Sequence, residues 1–296
     1  MPELPEVEVV VRSLGDFLLG QKITDIELRR EKSLPQGLSL VKKRALGQTI
    51  TAITRRAKFI QISLSNDFQI LTHLKMTGQL IYVGGNTAKR ETAGGGHPTA
   101  DWIRQLPGKH TRTIWTLADN RELRVNKLYF NDQRVFGWMK VLSLEEIERD
   151  YYSKLGPDAN SEEFTVAYLQ PKLAKKSIAI KTAIMDNAIV CGLGNIYAAE
   201  TCWAIGLDPR TPAKLVSTGK LTELVEQSKK ILAQAIKAGG TTFDGKYVDA
   251  EGKSGNYSEE LHVYGHAGQK CERCEAILEN VKLGGRATVF CPSCQK

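Results

Sequence analysis

Four of the six cysteines in this 296-residue chain form two C-x2-C pairs. A gap of two residues lets both thiolates of a pair bind one ion, and two pairs complete a tetrahedral zinc site. The pairs are Cys271 with Cys274 and Cys291 with Cys294. We expect one structural Zn2+ ion here, because four sulfurs leave no ligand position open. Two disulfides, or idle thiols, are the alternative.

A second group that could do chemistry lies at the N-terminus, where Met1 precedes Pro2 and Glu3. Removal of Met1 would expose the α-amine of Pro2, a secondary amine that titrates at about pH 8 and is partly nucleophilic at neutral pH. Such an amine can attack a sugar C1′ to give a cationic iminium, and Glu3 can act as acid or base. The alternative is structural, since Pro5 and Glu6 suit the first turn of a helix.

Composition limits the class of protein. Lys and Arg number 41 against 33 Asp and Glu, and the net charge of +8 favours a polyanionic partner. No apolar run approaches the roughly 18–20 residues of a membrane span, and the acidic start differs from a basic secretory signal. We therefore expect a cytoplasmic protein with no membrane partner, in which a disulfide framework is not expected.

Motifs along nearly the whole chain supply a context for these groups. In order they are LPEVE at 4–8, RRAKF at 55–59, HLKMTG at 73–78, NDQRVFG at 131–137, MDNAIVCGLGNIYAAE at 185–200, GGTTF at 239–243, VYG at 263–265 and GGRATVFCPSCQ at 284–295. This combination resembles the formamidopyrimidine-DNA glycosylase family, bacterial base-excision enzymes for oxidised purines. The resemblance implies a DNA glycosylase and abasic-site lyase that acts on damaged double-stranded DNA in the bacterial cytosol or nucleoid. A monomer suits such a DNA-scanning enzyme.

The resemblance also implies roles for individual residues. Pro2 is the implied nucleophile, and Glu3 protonates the sugar or the leaving group, after which β- and δ-elimination cut the strand. Glu6 is implied to position Glu3 or a water molecule. The residues implied to hold phosphates beside the lesion are Lys58, Asn195 and Arg286. Without the resemblance, Lys58 is a strand-edge charge, Asn195 a helix N-cap and Arg286 a solvated charge at a hairpin tip.

Further residues match those that relatives use once the damaged base has left the stack. Met76 is implied to fill the vacated space, Phe136 to wedge between base pairs, and Arg134 to contact the orphaned base. Tyr264 and His73 are implied to add DNA contacts. On residue type alone, Met76 and Phe136 are equally typical of core packing.

These residues must be positioned by an α+β fold of two domains. We expect an N-terminal helix and a β-sandwich at 1–144, since short alternating strands are separated by frequent turns. A linker or short helix is expected at 145–153. A helical domain of the helix–two-turn–helix type follows at 154–261, and its loop 241–261 is implied to cover the everted base. A zinc β-ribbon with a turn at Gly284-Gly285 occupies 262–296. The individual elements expected are strands at 50–53, 59–64, 70–74, 112–117 and 122–125 and a helix at 220–238. Cys191 and Cys202 are expected to be core residues.

Some features depart from the resemblance or leave alternatives open. The segment 84–106 is longer than expected; we interpret it as a hairpin insertion, whose Lys89, Arg90 and His97 are the alternative source of DNA contacts. His266 stands where relatives often carry Arg. The related endonuclease VIII enzymes for oxidised pyrimidines usually begin PEGPE, whereas this chain begins PELPE after Met1. Two alternative functions therefore stay open. One is an endonuclease VIII-like glycosylase for oxidised pyrimidines, and the other is a non-catalytic damaged-DNA-binding protein.

Overall fold

The computed structural model describes residues 2–86, 89–96, 105–119, 125–241, 248–249 and 255–296. The chain divides into two compact units. The first comprises Met1–Ser153 and Gly239–Asn256, and the second comprises Lys154–Ala238 and Tyr257–Lys296. Residues 239–256, which the sequence interpretation assigned to the helical domain, thus group with the first unit.

The described ranges contain seven α-helices. Those of the first unit are α1 (Leu4–Leu18), α2 (Leu38–Ala45) and α3 (Leu144–Asp150). Those of the second are α4 (Val166–Leu173), α5 (Ile180–Ile184), α6 (Asn195–Ala204) and α7 (Thr218–Lys237). None of these described helices combines the length and the apolar composition that crossing a membrane requires.

The strands within the described residues all pair in antiparallel fashion. They are β1 (Lys22–Leu28), β2 (Ile50–Arg56), β3 (Phe59–Leu64), β4 (Gln69–His73), β5 (Gly78–Asn86), β6 (Lys89–Gly96), β7 (Thr111–Ala118), β8 (Val125–Asp132), β9 (Trp138–Leu142), β10 (Val248–Asp249), β11 (Glu279–Leu283) and β12 (Arg286–Phe290).

Two sheets build the first unit. One has the order β1-β7-β8-β5-β6-β10 and the other the order β2-β3-β4-β9. Apolar residues of both sheets and of α1 share one core, to which α1 contributes Val7, Val10, Leu14 and Leu18. The expected β-sandwich with an N-terminal helix is confirmed. The expected strand at 59–64 matches β3, whereas the strand expected at 122–125 meets β8 only at Val125, its other residues lying outside the described ranges.

The acidic run at 144–150 forms a short helix, α3. Ser143 caps it: its hydroxyl accepts from the Glu146 backbone N–H at 3.1 Å, and the Glu146 carboxylate accepts from the Ser143 N–H at 2.8 Å. Arg44 also donates to Glu146 at 2.8 Å, which fastens α3 to α2. Reciprocal capping of this kind favours helix over linker.

The second unit combines helices with the β-ribbon. Helix α7 begins after Ser217, whose hydroxyl accepts from the Lys220 N–H at 3.3 Å. The expected ribbon is confirmed: β11 and β12 pair across a turn in which Gly284 and Gly285 have φ of 53° and 78°. Such angles suit glycine in a two-residue hairpin.

The segment 84–106 contains a hairpin, as expected. Strands β5 and β6 pair from Gln79 with Gly96 to Asn86 with Lys89. Strand β10, from the segment at 241–261, extends the same sheet by pairing Val248 with Gly96. His97 lies outside the described residues, as does most of 242–254.

Candidate functional site

Two buried carboxylates lie at the start of α1. Glu3 is 4 % exposed and precedes the first helical residue, and Glu6 is 3 % exposed. One oxygen of Glu6 accepts from the Glu3 backbone N–H at 2.8 Å, and the other accepts from the Thr241 N–H at 2.9 Å. Glu6 therefore fixes the backbone that carries Pro2 and Glu3, and joins it to the segment returning at 239–241.

Gly240 makes that junction possible. Its φ is +86°, and a Cβ atom there would lie 3.2 Å from the Oε1 atom of Glu6. A side chain would therefore be strained by the backbone and crowded by the carboxylate. Gly240 of the GGTTF motif thus has a local structural reason, which the sequence alone does not reveal.

Lys58 lies in the turn between β2 and β3 and is 7 % exposed. Ala57, directly before it, has φ of 53°. Arg55 holds this turn, donating to the Ala57 carbonyl at 3.0 Å and to the Glu8 carboxylate of α1 at 2.8 Å. Burial alone would raise the pKa of Glu8, but hydrogen bonds from Arg12 and Arg55 outweigh it and lower that pKa. The turn that carries Lys58 is thus fastened to α1 by an ion pair.

The three residues expected to enter the DNA meet one another. Met76 is 39 % exposed and Phe136 is 52 % exposed. The Arg134 guanidinium contacts both side chains. One of its nitrogens is 3.1 Å from the Met76 sulfur, and its Cζ is 4.8 Å from the Phe136 ring centroid. A core-packing role is excluded for Met76 and Phe136 by their exposure.

Asp132 builds the loop that presents Arg134 and Phe136. Its side chain is fully buried. It accepts from the Thr77 hydroxyl, from the Arg134 N–H at 3.2 Å and from the Gly137 N–H at 2.7 Å. Asp132 belongs to the NDQRVFG motif, but the sequence alone did not predict a role for it. The sequence did contain an indication of this role, because an acid directly after an apolar strand needs hydrogen-bond partners if it is buried.

A hydrogen bond and a ring contact hold His73 in place, three residues before Met76. Its Nδ1 accepts from the Lys75 N–H at 3.0 Å, and its ring packs edge-on against Phe59 at 4.9 Å. Burial, followed by repulsion from Lys75 and Lys58, lowers the pKa of His73 to about 3. A neutral ring with Nδ1 occupied has only Nε2–H to offer a phosphate.

Asn195 is not the N-cap of α6, although its residue type favours that position. The N-cap of α6 is Gly194, and Asn195 is the first helical residue, so the N-cap alternative is wrong. Its side-chain carbonyl accepts from the ammonium of Lys181, and its amide donates to the Ala287 carbonyl at 3.0 Å. Lys181, which is 1 % exposed, also donates to the Thr288 hydroxyl at 2.9 Å.

This network ties the start of α6 to strand β12, which begins at Arg286. Arg286 is exposed and directly follows the glycine turn, as expected. Lys181 is a positioning residue that the sequence analysis missed. A lysine inside an otherwise apolar stretch, IAIKTAI, was the signal for a buried cation with partners.

Glu200 positions the segment around Tyr264. Its buried carboxylate accepts from the N–H groups of His262 at 3.0 Å, Val263 at 3.0 Å and Tyr264 at 2.8 Å. Three backbone donors on one carboxylate leave this stretch little freedom. Glu200 closes the GNIYAAE motif and was also missed as a positioning residue.

The four motif cysteines converge as the spacing predicts. Their sulfurs all lie within 4.8 Å of one another. Cys274 and Cys291 are 3.5 Å apart, and Cys271 and Cys294 are 4.0 Å apart. Zinc–sulfur bonds of about 2.3 Å in a tetrahedron require sulfurs about 3.8 Å apart, so the donor set fits zinc. None of the four is in a disulfide.

The remaining two cysteines are core residues, as expected. Cys191 and Cys202 are fully buried. Burial raises the pKa of Cys202 to about 12, which makes its thiol inert.

Models of known families match three successive parts of the chain. Residues 1–139 match the formamidopyrimidine-DNA glycosylase N-terminal domain, and residues 155–246 match the H2TH domain of the same enzymes. Residues 268–296 match a zinc finger found in FPG and IleRS. The chain belongs to the formamidopyrimidine-DNA glycosylase family.

Individual relatives agree over the full length. The formamidopyrimidine-DNA glycosylase of Shewanella halifaxensis is 38 % identical over 296 residues, with 100 % of both chains covered. That of Acinetobacter baylyi is 39 % identical over 298 residues, covering 100 % of this chain and 98 % of the relative. A Lactococcus lactis Fpg structure in complex with abasic-site DNA superposes with a TM-score of 0.84 at 31 % identity, with 100 % of both chains covered.

The candidate residues are divided between the two units of the structure. The first unit carries Pro2, Glu3, Glu6, Lys58, His73, Met76, Arg134 and Phe136. The second carries Asn195, Tyr264, Arg286 and the four zinc-type cysteines. In both units, buried polar side chains hold segments that carry candidate residues: Glu6 and Asp132 in the first, Lys181 and Glu200 in the second.

Proposed function

We propose that this chain is a bifunctional DNA glycosylase and abasic-site lyase of base excision repair, which excises 8-oxoguanine and formamidopyrimidines from duplex DNA. The observation that carries the proposal is the N-terminal arrangement. Pro2 directly precedes a buried Glu3, whose backbone is held by Glu6, in a chain of this family. This arrangement supplies a nucleophile next to an acid.

The chemistry begins once removal of Met1 exposes the Pro2 nitrogen. Its lone pair forms a bond to C1′ of the damaged nucleotide, and the bond from C1′ to the base breaks. The leaving base takes the electron pair and a proton, for which Glu3 is the acid. The attached Pro2 nitrogen loses its proton, and its lone pair then forms the iminium as the C1′–O4′ bond breaks and O4′ takes a proton. The iminium makes the C2′ proton acidic. Its loss expels the 3′ phosphate by β-elimination, and δ-elimination then expels the 5′ phosphate.

The other candidate residues hold the DNA in the form that this chemistry requires. Lys58, Asn195 and Arg286 bind phosphates beside the lesion, with Tyr264 as an additional contact. The contacting trio of Met76, Arg134 and Phe136 replaces the everted base in the stack. The exposure of Met76 and Phe136 supports this role, because both side chains are accessible to a bound DNA duplex.

The four cysteines bind one zinc ion. When bound, the ion supplies folding energy to the small β-ribbon and no reaction step, because four thiolates fill its tetrahedron. We further propose that the protein acts as a monomer in the bacterial cytosol, where its DNA substrate lies.

Borohydride trapping tests the reaction. We expect the wild-type protein to form a covalent adduct with a duplex containing 8-oxoguanine opposite cytosine, because borohydride reduces the iminium. Pro2→Gly should give no adduct while still binding abasic-site DNA. Pro5→Ala is the matched control: it alters a proline three residues away and should retain the adduct. Absence of the wild-type adduct would leave the non-catalytic damage-binding alternative.

A preference for oxidised pyrimidines is a second candidate. One Lactococcus lactis Fpg structure, 32 % identical to this chain, is described as a complex with oxidised-pyrimidine DNA. Competition between duplexes that carry 8-oxoguanine and an oxidised pyrimidine separates the two. We expect faster excision of 8-oxoguanine; the reverse order would assign the chain an endonuclease VIII-like specificity.

A further inference from the structure

Five aromatic side chains form a cluster in the first unit, and three of them lie in a row across one sheet. Phe59 begins β3, His73 ends β4 and Trp138 begins β9. Phe59 pairs with His73, and His73 pairs with Trp138, so their side chains are cross-strand neighbours on one face. The Phe59 ring meets that of His73 edge-on at 4.9 Å and lies 6.0 Å from that of Trp138. This ring row is therefore joined by ring contacts as well as by the backbone.

Two tyrosines that follow α3 cover the ring row. The rings of Tyr151 and Tyr152 lie 5.6 Å and 6.1 Å from that of Phe59. Lys140 donates to the Tyr151 hydroxyl at 2.7 Å, and the Tyr152 hydroxyl donates to the side-chain carbonyl of Gln61 at 2.8 Å. Each tyrosine is thus held at its hydroxyl and at its ring. Phe59 is the member of the cluster that contacts all four of the other rings.

Each member of the ring row stands close in sequence to a residue proposed to contact DNA. These neighbours are Lys58 before Phe59, Met76 after His73, and Phe136 before Trp138. The residues directly before the three DNA-contacting side chains, Ala57, Lys75 and Val135, have φ between 53° and 56°. Residues other than glycine keep such angles where surrounding contacts enforce them. His73 supplies one such contact, because its Nδ1 accepts from the Lys75 N–H at 3.0 Å.

We propose that Phe59 is a positioning residue for base eversion, because its ring joins the three strand ends beside the DNA-contacting residues. The ring row then fixes the separation between the phosphate contact and the two side chains that enter the base stack. Edge-on and tilted ring contacts have preferred geometries, which an aliphatic side chain of similar size does not reproduce. The inference rests on the function proposed above, and in particular on the roles of Lys58, Met76 and Phe136.

Stopped-flow fluorescence of the full-length protein tests this role. The duplex carries 8-oxoguanine opposite cytosine, with 2-aminopurine as the neighbouring base, whose fluorescence rises when the damaged base leaves the stack. We expect Phe59→Leu to slow this rise about tenfold, because a misplacement of about 1 Å in a positioned group costs up to about a hundredfold. Phe59→Tyr keeps the ring and should stay within about twofold of the wild-type rate.

Phe17→Leu is the matched control. Phe17 is a half-buried phenylalanine of the same unit, which packs against the main core and lies 5.3 Å from the Tyr82 ring. Both leucine variants should lose stability in urea denaturation, but Phe17→Leu should keep the wild-type rate of eversion. A wild-type rate in Phe59→Leu, or equal slowing in the two variants, would overturn the proposal, since the ring would then contribute packing alone.

A second variant decides the case in which Phe59→Leu does not fold. Tyr151→Leu removes a covering ring that lies 5.5 Å from Trp138, and it should also slow eversion; a folded Tyr151→Leu protein with the wild-type rate would refute the ring row. The wild-type trace separates this failure from that of the proposed function. A wild type that gives no more fluorescence change on the damaged duplex than on an undamaged one refutes the proposed function itself, and the inference with it.

Discussion

At the scale of single residues, buried carboxylates hold the backbone segments that carry the proposed site residues. Glu6 holds the backbone of Glu3, and Asp132 holds the loop of Arg134 and Phe136. Each of these acids accepts two or more hydrogen bonds inside the protein. Removing such an acceptor leaves buried N–H groups unsatisfied, so its loss displaces groups that never touch it.

Asp132→Asn should weaken base excision selectively. The amide keeps one acceptor oxygen, but its NH2 group faces a backbone N–H of the loop, which costs about 1–3 kcal/mol. We expect the free energy of unfolding to fall by that amount and excision of 8-oxoguanine from duplex DNA to fall at least tenfold. Borohydride trapping on abasic-site DNA should fall less, because no base has to leave the stack.

Asp16→Asn controls for the change of charge, because Asp16 is exposed on α1. Urea denaturation and single-turnover excision measure the two effects. Equal losses on 8-oxoguanine and abasic-site DNA would show that Asp132 does not act through the loop.

His73 should make stability depend on pH. Its pKa is about 3 in the folded protein against 6.5 ordinarily, so the unfolded chain binds more protons between these values. Stability from the neutral ring is complete above pH 6.5 and is lost as pH falls toward 3. His73→Asn keeps an acceptor for Lys75 and does not titrate. We expect it to lose about 1–2 kcal/mol less than the wild type between pH 7.5 and 5.0 in urea denaturation. Parallel losses in the two proteins would contradict the assignment.

At the scale of elements, residues with positive φ immediately precede three of the proposed site residues. Ala57, Lys75 and Val135 all have positive φ, between 53° and 56°, and stand directly before Lys58, Met76 and Phe136. A non-glycine residue in this region costs about 1–3 kcal/mol and persists where surrounding contacts enforce it. The contacts here are those of Arg55, His73 and Asp132.

Both ends of α6 are tied to the ribbon, by Asn195 at its start and Arg273 at its end.

Lys181→Met tests the link at the start of α6. The variant removes a buried charge, which is itself expensive, so we expect little change in thermal stability. It also leaves the Asn195 carbonyl without its ammonium partner. Affinity for abasic-site DNA should therefore fall about tenfold, measured by fluorescence anisotropy. Lys175→Met removes the same charge from an exposed position; equal affinities for the two variants would argue against the network.

At the scale of the whole molecule, the net charge of +8 favours the proposed binding to DNA. The proposed phosphate ligands come from both units, Lys58 from the first and Asn195 and Arg286 from the second. Neutralising phosphates releases counterions, so affinity must fall with salt.

If about five to seven phosphates are neutralised, log K should fall with log[salt] at a slope of about −5 to −6. Arg286→Ala should reduce that slope by about one. Arg149→Ala is the control, because Arg149 is paired with Asp150 at 2.8 Å and should leave the slope unchanged. A slope near zero for the wild type would refute the proposed phosphate contacts.

The sequence by itself determined the family and most of the architecture. Two C-x2-C pairs predicted a four-sulfur cluster, because that spacing suffices to bring thiolates to one ion. Alternating apolar residues predicted the sandwich, and the ordered motifs indicated the family. These inferences depend on short-range spacing and residue type, which a sequence displays directly.

Only the tertiary structure decided which buried polar residues hold the site. The partners of Lys181, Glu200 and Asp132 lie up to 107 residues away in the chain, and no local pattern specifies which distant donor meets a buried acceptor. The N-cap interpretation of Asn195 was wrong for this reason: Gly194 can take the cap position, which leaves the amide for Lys181 and the strand beside Arg286.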